Sequence, residues 1–173
     1  MKLYFMLLLS FYLFGCGNSQ KPLAIVQNVD LKRYAGKWYE IARLPTRFEK
    51  GCRCVTAEYT IMDKYIEVKN SCTEGAVADA KTRSITGKAF RKERDTSGKL
   101  KVQFFWPFKA DYWIIALDSD YQYALVGHPN REYLWILSRT PQLDEAIIKN
   151  LTGQAKSQGF AIDKLEWTDQ EEC

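Results

Sequence analysis

Residues 111–141 read DYWIIALDSDYQYALVGHPNREYLWILSRTP. Three short runs stand out, 111–118, 121–128 and 132–139. Each is rich in aromatic and β-branched residues, and Asp/Ser and Pro-Asn turns separate them. Such runs are strands, and joints this short leave no room for a crossover. The same texture extends upstream. KWYEIARL opens the series at residue 37. VTAEYTI and YIEVKN flank MDK as a hairpin. SITGKAFRKE and LKVQFFW flank RDTSGK as a second hairpin. The series predicts an all-β fold of eight antiparallel up-and-down strands, which close into a barrel. A barrel of this size can hold one small ligand.

Downstream the period changes. TPQLDEAIIKNLTGQAKSQGF, residues 140–160, carries Leu143, Ala146, Ile147, Leu151 and Ala155 at helical spacing. Thr140 is read as the N-cap and Pro141 as the first helical position. Asp144 and Glu145 suit the positive end of the helix, and Gly159 ends it. This predicts one C-terminal helix packed outside the barrel. IDKLEW, residues 162–167, reads as a final strand.

The front of the chain is different. LYFMLLLSFYLF, residues 3–14, follows Lys2 and is apolar apart from Ser10. That is short for a membrane span, which needs about 20 apolar residues, and it suits the core of an export leader. LFGC at 13–16 resembles a bacterial lipobox, whose cysteine is fatty-acylated after the leader is removed. The domain expectation is a lipoprotein signal peptide at 1–15, an acylated tether at 16–29 and a barrel domain at 30–173. Cys16 is the lipidation candidate, and stable anchoring takes more than one acyl chain.

The formal net charge is +4, and acids are scattered among the bases. The basic stretch KAFRKERDTSGKLK at 88–101 fits a solvated hairpin, so nucleic acid is not expected as a partner. With Cys16 set aside, four cysteines remain: Cys52, Cys54, Cys72 and Cys173. An even set in an exported chain reads as disulfides. Three pairings are possible, and simple hairpin register points to Cys54–Cys72. CRC lacks the spacing of a zinc site, and the only histidine, His128, stands beside Pro129 in a turn. Neither a metal nor a cofactor is expected.

Three motifs carry a family resemblance. GKWYEIARLP at 36–45 is similar to the first lipocalin signature, Gly-x-Trp. ALDSDYQYALV at 116–126 resembles the second, although Ser119 and Asp120 depart from its commonest form. WILSRTP at 135–141 resembles the third, with Arg139 as its basic residue. They stand in order ahead of the helix, and the similarity runs from about residue 22 to 167. With the lipobox, the chain most resembles the bacterial outer-membrane lipoproteins of the lipocalin family and its apolipoprotein D-like members. The resemblance implies disulfides Cys54–Cys173 and Cys52–Cys72. It also implies an outer-membrane, lipid-anchored location in a Gram-negative bacterium. Gly36, Trp38 and Arg139 are structural expectations: Trp38 plugs the closed end, and Arg139 covers its ring and donates to carbonyls.

Side chains alternate along strands. A two-residue turn at Asp63-Lys64 puts Tyr59 and Asn70 on one face. If Arg139 closes the bottom, Trp135 points into the cup above it. Phe104 and Tyr112 come from the next strands, and the resemblance places ligand at positions matching Tyr59, Asn70 and Trp135. Such a cup suits a fatty acid or lysophospholipid. The competing reading is that these side chains fill the barrel as core. FFWPFK at 104–109 is expected at the open mouth, with Trp106 and Phe108 against lipid or a partner. The functional expectation is a non-enzymatic carrier of a small hydrophobic ligand, serving membrane lipid storage, transfer or stress maintenance, as a monomer or homodimer. A lipocalin-fold enzyme and a pigment or haem carrier are the alternatives.

Overall fold

The computed structural model describes residues 21–75, 80–171 and 173. Cys16 and the leader lie outside the described residues. The strands are β1 (Gly36–Arg43), β2 (Cys52–Ile61), β3 (Ile66–Glu74), β4 (Lys81–Arg91), β5 (Lys99–Gln103), β6 (Ala110–Leu117), β7 (Tyr123–Gly127) and β8 (Leu134–Ser138). Each pairs antiparallel with its successor, and β8 pairs with β1 to close the ring. A two-residue strand, β9 (Glu166–Trp167), adds to β1 beside the barrel. IDKLEW is therefore only partly a strand, because Ile162–Lys164 form a 3-10 turn first. Two helices complete the fold, the single turn α1 (Leu31–Tyr34) and α2 (Glu145–Ser157).

Two cores explain the sequence pattern. Inside the barrel lie Trp38, Tyr59, Val68, Ala89, Ile114, Ala124, Val126 and Leu137. Outside it, Leu151 and Ala155 of α2 pack with Ile41, Ile115, Leu125, Leu134, Ile136 and Phe160. Strands β7 and β8 are buried on both faces, which is why YALVG and LWILS are continuous apolar runs. Strand β4 has a solvated outer face and is largely polar along its first half.

α2 begins four residues later than the Thr140 reading. Asp144 Oδ1 accepts from the Ala146 amide at 2.8 Å and caps the helix. Thr140 is engaged elsewhere, donating to the Gln142 carbonyl at 2.6 Å. Strand β5 also stops at Gln103, short of the FFW that the sequence suggested.

The barrel has a closed and an open end. α1 and the turns at 62–65, 92–98 and 118–122 lie at the closed end. The segments 44–51, 104–109 and 128–133 lie at the open end. Among the described residues, the nine strands, the two α-helices and the two disulfides fall within residues 31–173, with Leu23 and Val29 packing against them.

Candidate functional site

The closed end is built around Trp38. Its ring is fully buried, and its Nε1 donates to the Tyr34 carbonyl at 2.8 Å. The Arg139 guanidinium lies 3.8 Å from the ring centroid. Arg139 donates to the carbonyls of Lys37, Arg33, Tyr34, Ala35 and Tyr121 at 2.8–3.2 Å. A guanidinium fork suits this task, because its donors fan out in one plane. Gly36 has φ +92°, and a Cβ there would meet Arg139 Nη1 at 3.4 Å. The three signature residues thus form one structural plug.

Above the plug, three tyrosines converge. Tyr112 shares 2.7 Å hydrogen bonds with the hydroxyls of both Tyr34 and Tyr59. Burial pushes the Tyr59 phenol up to about 12 and lifts those of Tyr34 and Tyr112 well above their usual value, so all three stay neutral. Tyr59 and Tyr112 were legible in the strand pattern. Tyr34 was not: it lies in a single-turn helix, four residues before Trp38.

The next level is looser. Asn70 pairs with Ala57 on β2 and with Ile85 on β4. Its side chain therefore shares the inner face with Tyr59. Asn70 Oδ1 is buried with no hydrogen-bond partner. Ile85 on the same inner wall is 39% exposed, so the wall is uncovered there. Phe104 turns inward over Gly87, its ring 2.6 Å from where a Cβ would sit. Glycine is required at that approach.

Trp135 stands on the opposite wall. Its ring stacks on Tyr133 at 5.9 Å, and Tyr133 in turn stacks on Phe48 at 6.3 Å. An aromatic ladder runs from the rim into the cup. The Trp135 Nε1 donates to Glu49 Oε2 at 3.4 Å. Glu49 belongs to a buried group that the sequence reading missed. Arg43 Nε lies 3.3 Å from Glu49 and 3.6 Å from Glu40, and Glu166 binds the Arg43 Nη1. Burial first, then the neighbouring Glu49 carboxylate, push Glu40 from an ordinary 4.5 up to about 8. Burial also raises Glu49. The available signal was two charges, Glu40 and Arg43, flanking Ile41 and Ala42 in the second half of the first strand.

The disulfides are Cys52–Cys72 and Cys54–Cys173, with Cα separations of 5.5 and 5.7 Å. The Cys54–Cys72 pairing from simple hairpin register is corrected by a bulge between Arg53 and Thr56. Cys54 sits at φ +52°, and its amide donates to the Asp169 carbonyl at 2.7 Å. That meets the C-terminal tail and leaves Cys52 for Cys72. Glu74 lies beside Cys52 and Cys72, but the two sulfurs are bonded to each other and are not metal donors.

Asn70 Oδ1 is thus an unpartnered acceptor on the inner wall, on the same face as Tyr59. Among the described residues every cysteine is in a disulfide. His128 is occupied with Asn130 in the rim turn.

A family profile described as a lipocalin-like domain matches residues 29–170. Outer membrane lipoprotein Blc of Escherichia coli K12 is 40% identical over 164 residues, covering 93% of this chain and 92% of that protein. Mouse apolipoprotein D is 36% identical over 170 residues, covering 92% and 86%. Insecticyanin from the tobacco hornworm Manduca sexta superposes with a TM-score of 0.71 at 24% identity, over 88% of this chain and 86% of that one. That last likeness concerns the fold alone.

Proposed function

The chain belongs to the lipocalin family, and from that premise we propose that it is an outer-membrane-anchored carrier of a fatty acid or lysophospholipid. The observation that carries the reading is Asn70: a buried polar atom without a partner, on the uncovered inner wall of an aromatic cup. A buried acceptor left unmade costs about 1–3 kcal/mol. A lysophospholipid hydroxyl or ammonium donates to Asn70 Oδ1 and removes that cost. The acyl chain then lies along Phe104 and Trp135 toward Tyr59 and Tyr112, each buried methylene contributing about 0.8 kcal/mol. Acylation of Cys16 holds the cup beside its lipid supply. The cargo would serve membrane lipid storage, transfer or maintenance under stress. The similarity to an outer membrane lipoprotein over nearly the whole chain supports the location.

No reaction is proposed. The buried carboxyls Glu40 and Glu49 are tied to Arg43, Thr168 and Trp135. That arrangement fits a structural role better than a catalytic one.

The test is native mass spectrometry of residues 17–173 from an oxidising compartment, followed by titration with oleate and with lysophospholipid. The expected result is one lipid per chain, weakened at least tenfold for either lipid in Trp135→Ala, and for lysophospholipid, whose free hydroxyl is the donor, in Asn70→Leu. An intact barrel that takes up neither lipid would sink the proposal.

A further inference from the structure

The mouth of the barrel carries a second set of aromatic residues, pointing away from the cup. Phe105, Trp106 and Phe108 are 69%, 86% and 77% exposed, and Phe48 on the facing rim segment is 55% exposed. The closed end offers less, Ile61 and Met62 at 42% and 41%. Aromatic residues this exposed on one loop mark a contact surface. Cations are interleaved with them. Arg47 and Lys50 bracket Phe48, and Lys81 stands at the same end; Lys109, next to Phe108, turns its ammonium over the Phe90 ring instead, 4.2 Å from its centroid.

The route of the N-terminal segment adds an independent constraint. The Val29 amide donates to Thr96 at the closed end, and the Val26 amide donates to Ile114 midway along β6. Ala24 then meets the Gln158 side chain, just past the far end of α2. The Lys21 carbonyl is held by Arg131 of the 128–133 rim turn. The segment thus climbs the wall and leaves the barrel at its open end. Cys16 is five residues further along the chain, at most roughly 17 Å away when fully extended. An anchor there brings the mouth, not the closed end, to the bilayer.

We propose that the open rim docks mouth-down on an anionic membrane surface, with Phe105, Trp106 and Phe108 seated at the level of the headgroups. Aromatic rings are favoured at that depth. Rim lysines and arginines gain from anionic lipid within a Debye length. The inference rests on the Cys16 anchor of the reading above but not on its cargo. Its consequence is that a lipid passes between membrane and cup without crossing bulk water.

The test uses residues 16–173, coupled through the Cys16 thiol to a maleimide-bearing lipid. The vesicles are phosphatidylethanolamine with phosphatidylglycerol, or with phosphatidylcholine as the neutral control. Brominated acyl chains quench a tryptophan that reaches them. The expected result is marked quenching on anionic vesicles, most of it lost in Trp106→Phe. Replacing Phe105, Trp106 and Phe108 together by Ser should weaken partitioning of the uncoupled chain about tenfold or more. Equal quenching of the wild type and Trp106→Phe overturns the proposal, as does a rim that buries only against another protein. Oleate titration in solution separates the two readings. Uptake of oleate without Trp106 quenching removes the docking and leaves the carrier. Quenching without uptake does the reverse.

Discussion

Single side chains do two kinds of work in this barrel, and mutation separates them. Tyr112 is structural, because its hydroxyl is shared between Tyr34 and Tyr59 at 2.7 Å. Tyr112→Phe leaves two buried hydroxyls without that partner, and a loss of about 1–3 kcal/mol in urea unfolding is expected. Arg139 is structural on a larger scale. Arg139→Met keeps some apolar cover over Trp38 but removes a donor from five carbonyls, of which only that of Tyr34 keeps the Trp38 Nε1 bond, and a loss of about 3 kcal/mol or more should follow. Lipid affinity measured well below the unfolding midpoint should be nearly unchanged, since the plug lies beneath the cup. Asn70 is the converse. Its Oδ1 has no partner in the fold, so Asn70→Leu should leave stability the same or higher while weakening lysophospholipid uptake. Simultaneous loss of both properties would assign Asn70 to the scaffold instead. The inner set was readable because alternation fixes which side chains face inward. The free Oδ1 and the Glu40–Arg43–Glu49 group were not, since they depend on which neighbours arrive from other strands.

Elements show where that legibility stops. Strands β7 and β8 were plain in the sequence because both faces are buried, and the helix because its apolar stripe repeats. Its start was not plain. Thr140 and Asp144 are both good caps by residue type, and only the path out of β8 puts Asp144 Oδ1 within 2.8 Å of Ala146. Asp144→Ala should cost about 1 kcal/mol, and Thr140→Ala distinctly less. The bulge at Cys54 was equally hidden, because a positive φ at a cysteine has no sequence signal. Its effect is large, since it sends Cys54 to the tail. The two bridges close loops of sequence separation 119 and 20. On the chain-entropy scale these are worth about 5 and about 3 kcal/mol. Replacing Cys54 and Cys173 by Ser should therefore lower the thermal midpoint more than replacing Cys52 and Cys72. The reverse order would mean that native-state contacts, rather than loop closure, set the values.

At the scale of the molecule, the open end is where the fold spends stability. The closed end is sealed by neutral tyrosines and a fully engaged arginine. The open end buries Glu40, Arg43 and Glu49 together, with the tail latched on through Glu166 and Thr168. Two buried carboxyls compete there for one guanidinium, so one proton is retained. Glu40 carries it, at about 8 in the folded chain against an ordinary 4.5. A raised carboxyl means that the folded state binds more protons than the unfolded one between these values. Stability is then fully present below about pH 4.5 and is lost as pH rises through about 8. The loss should be of the order of 2 kcal/mol or more across that window, given 1.36 kcal/mol per pKa unit and coupling to Glu49. Glu40→Gln keeps an acceptor for Thr168 and removes the titration. Thermal unfolding from pH 5 to pH 8.5 should show a falling midpoint in the wild type and a nearly level one in Glu40→Gln. The tail should loosen first, because β9 holds to the barrel through this same group, and hydrogen exchange at Glu166 and Trp167 should quicken with pH beyond the intrinsic chemical rate. If Glu40→Gln keeps the wild-type slope, the proton is held elsewhere and the latch does not respond to pH.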